Sequence, residues 1–104
     1  MAGRALLGLT GSRGSIVAMP TISRFYGIVI AMYFDDHGFP HFHARHAATS
    51  AKVRFDRVEV IDSSLDVRQL RLVLAWAELH RDELLENWRR ARAGETLLEI
   101  EPLR

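Results

Sequence analysis

Apolar residues are not spread evenly along the chain. From Ile22 to Phe34 almost every position is apolar, with β-branched and aromatic types prominent (Ile28, Val29, Ile30, Tyr33, Phe34). Such a run predicts a strand buried on both faces, although periodicity alone does not separate it from a buried helical segment. Asp35-Asp36-His37-Gly38 then supplies turn chemistry, and Pro40 blocks ladder pairing at the entry to the next strand. Phe42 to His46 is a second predicted strand. Alternation puts His41, His43 and Arg45 on one face and Phe42, Ala44 and His46 on the other. Ala51 to Phe55 predicts a third strand, with Ala51, Val53 and Phe55 pointing one way and Lys52 and Arg54 the other. Arg57 to Ile61 is a candidate fourth. Short turns between neighbours make an antiparallel meander the economical topology.

The period changes after Ser63. Ser63-Ser64-Leu65-Asp66 resembles a capping box with Asp66 in the place of the usual Glu or Gln. No Gly or Pro interrupts residues 65–93, where Ala, Leu, Arg and Glu dominate. Leu70, Val73, Leu74 and Ala77 form an apolar stripe that Leu84, Trp88 and Ala91 continue. The polar tetrad His80-Arg81-Asp82-Glu83 is where one long helix would break into two. Glu86 and Arg90 have helix-supporting spacing, Gly94 is a natural C-cap, and Trp76 and Trp88 are expected core anchors. Thr96 to Leu103 is expected to return extended across the core, held by Leu97, Leu98 and Ile100. The expected fold is α+β: a three- or four-stranded antiparallel β-meander, then one or two α-helices packed on one face.

Residues 1–18 carry no such period. Gly3, Gly8, Gly11, Ser12, Gly14 and Ser15 crowd a segment too poor in apolar surface to offset its ordering entropy. This predicts a disordered or loosely ordered N-terminal extension, with an edge strand as the alternative, ahead of a single α+β domain over residues 19–104.

Composition changes this picture little. The chain has 104 residues, 14 basic against 13 acidic, a formal charge of +1 and no cysteine. Disulfides, thiolate nucleophiles and Cys-type zinc sites are excluded. No apolar run approaches the ~20 residues that span a bilayer, so a cytoplasmic location without membrane attachment is expected. The charge balance gives no global case for nucleic acid. A local basic patch stays open: Lys52 is the one lysine, and the arginines favour bidentate contact with carboxylate or phosphate.

Chemistry concentrates at residues 35–46, where four of the five histidines fall within ten positions. Three readings stand. His41 and His43, two apart on a strand, could share an ion with His37 and Asp36 as further ligands, giving a divalent metal site. Alternatively, His41 and His43 are a metal-free acid/base pair for cleavage at a ribose 2′-hydroxyl, with Arg45 on the phosphate. The third reading is structural or purely binding. Imidazoles hydrogen-bond backbone carbonyls, Phe42 fills the core, and His80 pairs with Glu83 or caps a helix break. Arg24, His80 and Arg81 are the further binding candidates, His80 being able to approach the strand face from across the core.

The segments 19–30, Pro40-His41-Phe42-His43-Ala44-Arg45 and 77–88 resemble the bacterial family catalogued as domain of unknown function 4160. The resemblance covers nearly all of residues 19–104 and omits the first eighteen, which fits a natural start at Met19. Family members typically carry a second proline where this chain has Phe39, Tyr where it has His46 and Gly where it has Ala47. His46 is therefore a local feature rather than part of the signature. The resemblance implies no established reaction. Its members are often encoded beside a small protein of another uncharacterised family (number 2442), which looks like a toxin–antitoxin pair. The expectation is a toxin–antitoxin-type component that pairs with a small antitoxin-like protein and binds or cleaves RNA, with homo-oligomerisation open. The alternatives are a non-catalytic protein- or nucleic-acid-binding module and a His/Asp metal-binding protein.

Overall fold

The apolar run at residues 22–34 folds into two strands, not one. β1 (Thr21–Phe25) and β2 (Ile28–Ala31) form an antiparallel hairpin closed by the pair Phe25 and Ile28. Between them Tyr26 and Gly27 both have positive φ, 51° and 78°, the combination a two-residue type I′ turn requires. A tyrosine is not a turn former, and a lone glycine in an apolar run signals a bulge more than a hairpin, so the pattern concealed the reversal. A computed structural model describes residues 20–34 and 38–104. The expected extension over residues 1–18, and Asp35, Asp36 and His37, lie outside the described residues.

β3 (His41–His46), β4 (Thr49–Arg54) and β5 (Glu59–Ser63) complete a five-stranded sheet. Its order is β1-β2-β3-β4-β5, every neighbouring pair antiparallel. The meander is as expected and has one strand more. β5 starts two residues later than the apolar pattern indicated because Arg57 and Val58 are taken into the turn. There the Asp56 carboxylate accepts from the Arg57 backbone N–H at 2.9 Å and from the Arg54 guanidinium at 2.6 and 2.8 Å.

α1 (Val67–Leu79) and α2 (Arg81–Ala93) follow. The cap of α1 lies three residues beyond the expected box. Asp66 is itself the N-cap, accepting from the Gln69 backbone N–H at 2.8 Å while the Gln69 side chain accepts from the Asp66 N–H at 3.4 Å. Ser63 and Ser64 instead tie the approach to the helix, through the Leu65 N–H and the Ser50 backbone respectively. The helices break at His80, as the polar tetrad suggested, and α2 ends on Gly94 in the left-handed conformation, φ 74°.

The helices pack on the sheet face that carries Phe42, Ala44, Ala51 and Val53, all buried. Trp76 is the keystone of this layer. It is fully buried against Phe25 and Phe42, with ring centroids 5.4 and 5.6 Å away, and its indole N–H donates to the Glu101 carbonyl at 2.8 Å. Trp88 touches Phe55 and lies over the end of the sheet where β3 begins. Residues 95–104 run as an extended strap. The Ile100 N–H donates to the Ile22 carbonyl at 2.8 Å, and buried Asn87 both donates to and accepts from the Leu98 backbone at 2.8 Å. Ile100 is buried as expected. Leu98 is 48% exposed and does not anchor the strap, because its backbone, not its side chain, is what Asn87 holds.

Candidate functional site

Strand pairing decides which side chains share a surface. Arg24, Val29, Arg45 and Ser50 are successive cross-strand partners over β1 to β4, and Ala31, His43, Lys52 and Asp62 form the next row over β2 to β5. Directly paired residues lie on one face of a sheet, so both rows occupy the face opposite Phe42 and Ala44. Arg24 and Arg45 are exposed and flank Val29, their backbones ~10 Å apart across two inter-strand spacings. Lys52 and Arg54 extend the row of cations towards the sheet end. Arg54 lies over the Phe39 ring, 4.7 Å from its centroid, with the Lys52 ammonium 5.7 Å from the same centroid. Tyr33 stacks on His43 with ring centroids 4.3 Å apart and planes inclined by 11°. The open face thus combines four cations with an aromatic–imidazole stack.

These cations differ in availability. Arg54 is committed to a two-point ion pair with Asp56. The hydrogen bond from Arg54 holds the Asp56 carboxyl down at about 2, against an ordinary 3.8. Arg24, Arg45 and Lys52 make no ion pair among the described residues.

His41, His43 and Arg45 share one face of β3, as alternation indicated, but at three different depths. His41 is 4% exposed, packs against Trp88 and the edge of Phe39, and lies 2.9 Å through Nδ1 from the Phe39 carbonyl. A carbonyl only accepts, so Nδ1 carries the proton there. His43 is half-buried beneath Tyr33, and only Arg45 is fully on the surface. The His41 and His43 rings meet edge-on, centroids 5.3 Å apart. A cleft of about 350 Å³ lies between β1 and the strap, lined by Arg24 but by neither histidine.

The other candidates divide between the open face and the scaffold. Arg24 joins the open face. Arg81 donates to the carbonyls of Phe55 and Asp56, closing the end of β4. His80 sits at the helix junction against Trp76, with Nδ1 2.5 Å from Glu83. His46 faces the helices and accepts from the Gln69 amide at 3.1 Å, its ring close against Gly27. Of the metal set, His37 and Asp36 lie outside the described residues. Among the described residues no three His, Asp or Glu side chains are grouped to hold an ion. Tyr33, Phe39 and Lys52 are site residues that sequence reasoning missed. The signal for Lys52 was present, since it points away from Val53 just as Arg45 points away from Ala44.

The fold and face describe a small α+β domain: a five-stranded meander with its helices on one side and a cation–aromatic surface on the other. The chain belongs to the family described as domain of unknown function (DUF4160), whose model matches residues 27–89, more than half of the sequence. That span runs from the β1–β2 turn through Trp88 and contains the whole His41–Arg45 segment. No curated protein and no solved structure matches the chain. No described helix is long and apolar enough to cross a membrane.

Proposed function

We propose that the protein binds single-stranded RNA across its open sheet face, as one component of a toxin–antitoxin-type pair with a second small protein. One observation carries the RNA half: Arg24, Arg45 and Lys52, without ion-pair partners among the described residues, border the Tyr33–His43 stack on one surface. Cations that follow a phosphate backbone, beside rings on which bases stack, are what non-specific single-strand binders use. Duplex would fit worse, because stacking on a protein ring needs an unpaired base.

Binding is favoured over cleavage by the state of His41. A general acid or base must reach the proton it moves, and His41 is 4% exposed and bonded to the Phe39 carbonyl. Its position is that of a strand-entry brace. Pairing with a small protein rests on the gene arrangement of the family that the sequence resembles.

Fluorescence anisotropy with a labelled 12-nucleotide RNA tests the reading. Arg45→Ala and Arg24→Ala are each expected to weaken binding about fivefold. Each should also reduce the slope of log K against log salt by ~0.7, the contribution of one phosphate contact on a single strand. Tyr33→Ala is expected to cost about 1–3 kcal/mol if a base stacks there. Equal affinity for all three variants and the parent would sink the proposal. Incubation of the same RNA with and without chelator reads cleavage directly, and intact RNA under both conditions is the outcome expected of a binding protein.

A further inference from the structure

On the helical side, α2 and the strap enclose a second cleft of opposite character. Its volume is about 250 Å³ and it is lined by Asp82, Glu83, Glu86, Leu98, Glu99 and Ile100. Asp82 and Glu83 lie in the first turn of α2 and Glu86 in the next, and the last three are consecutive in the strap. Its surface is mostly apolar, and four of its six lining residues are acidic. Glu83 is hydrogen-bonded to His80 and Glu86 is ion-paired with Arg89 and Arg90, whereas Asp82 and Glu99 have no ion-pair partner among the described residues.

Leu98 is the informative residue. Nearly half of it is exposed, yet its backbone is clamped on both sides by the buried Asn87 amide. An exposed leucine on a loose strap would need no account. Here the fold spends a buried, fully satisfied amide on fixing a segment whose apolar side chain then faces outward. A groove fixed in advance binds without an ordering cost.

We infer that this cleft is a docking site for a cationic segment of a partner protein, one in which Arg or Lys flanks a Leu- or Ile-sized side chain. Charge complementarity selects the occupant: an acidic lining, with Asp82 and Glu99 unpaired among the described residues, disfavours acidic segments and nucleic acid. Size selects the anchor. At about 250 Å³ the cleft falls short of the ~300–1,000 Å³ of a drug-sized ligand site and suits one or two aliphatic side chains. The site shares Glu99 and Ile100 with the cleft that Arg24 lines, and its α2 side, with Asp82, Glu83 and Glu86, is separate from the open face. It rests on the pairing half of the proposed function and is independent of the RNA half.

The test uses the full chain and a synthetic peptide, acetyl-Arg-Ala-Leu-Arg-Arg-Leu-Ala-Arg-amide, by isothermal titration calorimetry. Binding is expected to weaken at least tenfold for the double variant Asp82→Asn with Glu99→Gln, at least fivefold for Leu98→Ser, and steeply with added salt. The same peptide with both leucines replaced by serine should bind at least tenfold more weakly, and 12-nucleotide RNA affinity should not change in Leu98→Ser. Undiminished peptide binding in the charge-neutral double variant overturns the proposal, as does equal binding of an all-Glu counterpart. Sedimentation of the protein alone adds a further arm: a concentration-dependent dimer abolished by Leu98→Ser would overturn it by making a second copy the occupant. If the groove variants bind peptide normally while the RNA variants behave as expected, the docking site fails and the RNA reading stands.

Discussion

Asp56 shows how one carboxylate can regulate the reach of a neighbouring cation. Its folded pKa of about 2 lies below the ordinary 3.8, chiefly because the Arg54 guanidinium hydrogen-bonds its ionised form. A carboxyl depressed on folding contributes stability that is fully present above its unfolded pKa and is lost as pH falls through the folded one. The Asp56 contribution is therefore complete near pH 5 and disappears between about 4 and 2. Both partners are solvent-accessible, so salt reduces it. Carbon-detected NMR of the Asp56 carboxyl is expected to give a midpoint near 2, returning towards 3.8 in Arg54→Gln. The same pair occupies the Arg54 guanidinium at the open face. Asp56→Asn should release it, tightening RNA binding and steepening the salt slope by ~0.7, the mark of one added phosphate contact. Tighter binding with an unchanged slope would count against a released Arg54.

At the scale of elements, what could be read in advance depended on whether the determining signal was local. α1 and α2 were legible, with their break at His80, because helix propensity, apolar stripe and polar interruption agree. The strand at Thr49–Arg54 was legible from its alternation. The β1–β2 hairpin was not, because its turn is set by backbone geometry that Tyr26 adopts against its own preference. That preference can be measured. Tyr26→Asn places a residue tolerant of φ near 51° beside Gly27, making the Asn-Gly pair favoured in type I′ turns. It is expected to stabilise the protein by about 0.5–1 kcal/mol in urea denaturation. Gly27→Ala is expected to destabilise it by more than 1 kcal/mol. At φ 78° a side chain is strained, and an added Cβ would stand 3.3 Å from the His46 ring. The opposite sign for Tyr26→Asn would mean that the exposed tyrosine ring itself supports the hairpin.

The candidate site was legible to a smaller degree. Alternation placed His43 and Arg45 together, but strand register, which a single sequence does not encode, brought Arg24 and Lys52 alongside them. Burial was equally invisible: nothing in Pro40-His41-Phe42-His43 distinguishes the inner imidazole from the half-covered one.

For the molecule as a whole, a formal charge of +1 conceals segregation. The open sheet face carries Arg24, Arg45, Lys52 and Arg54, and the α2–strap cleft carries four carboxylates. Near-neutral totals therefore do not argue against an electrostatic partner on either side. The strap has one more consequence, for the order in which the fold comes together. Every strand pairing joins neighbours in sequence, so the meander can zip up through short loop closures. The bond from Ile100 to Ile22 and the indole bond from Trp76 to Glu101 join distant parts of the chain, and the loops they close are far longer. Interactions of that kind form late and are absent from an early transition state. Ile100→Ala, expected to cost about 2–4 kcal/mol from its buried position, should therefore leave the folding limb of a chevron plot almost unmoved and raise the unfolding rate by a factor of ~30 or more. On that expectation the strap is a latch on the finished structure, and the lifetime of the native state follows how long it stays shut.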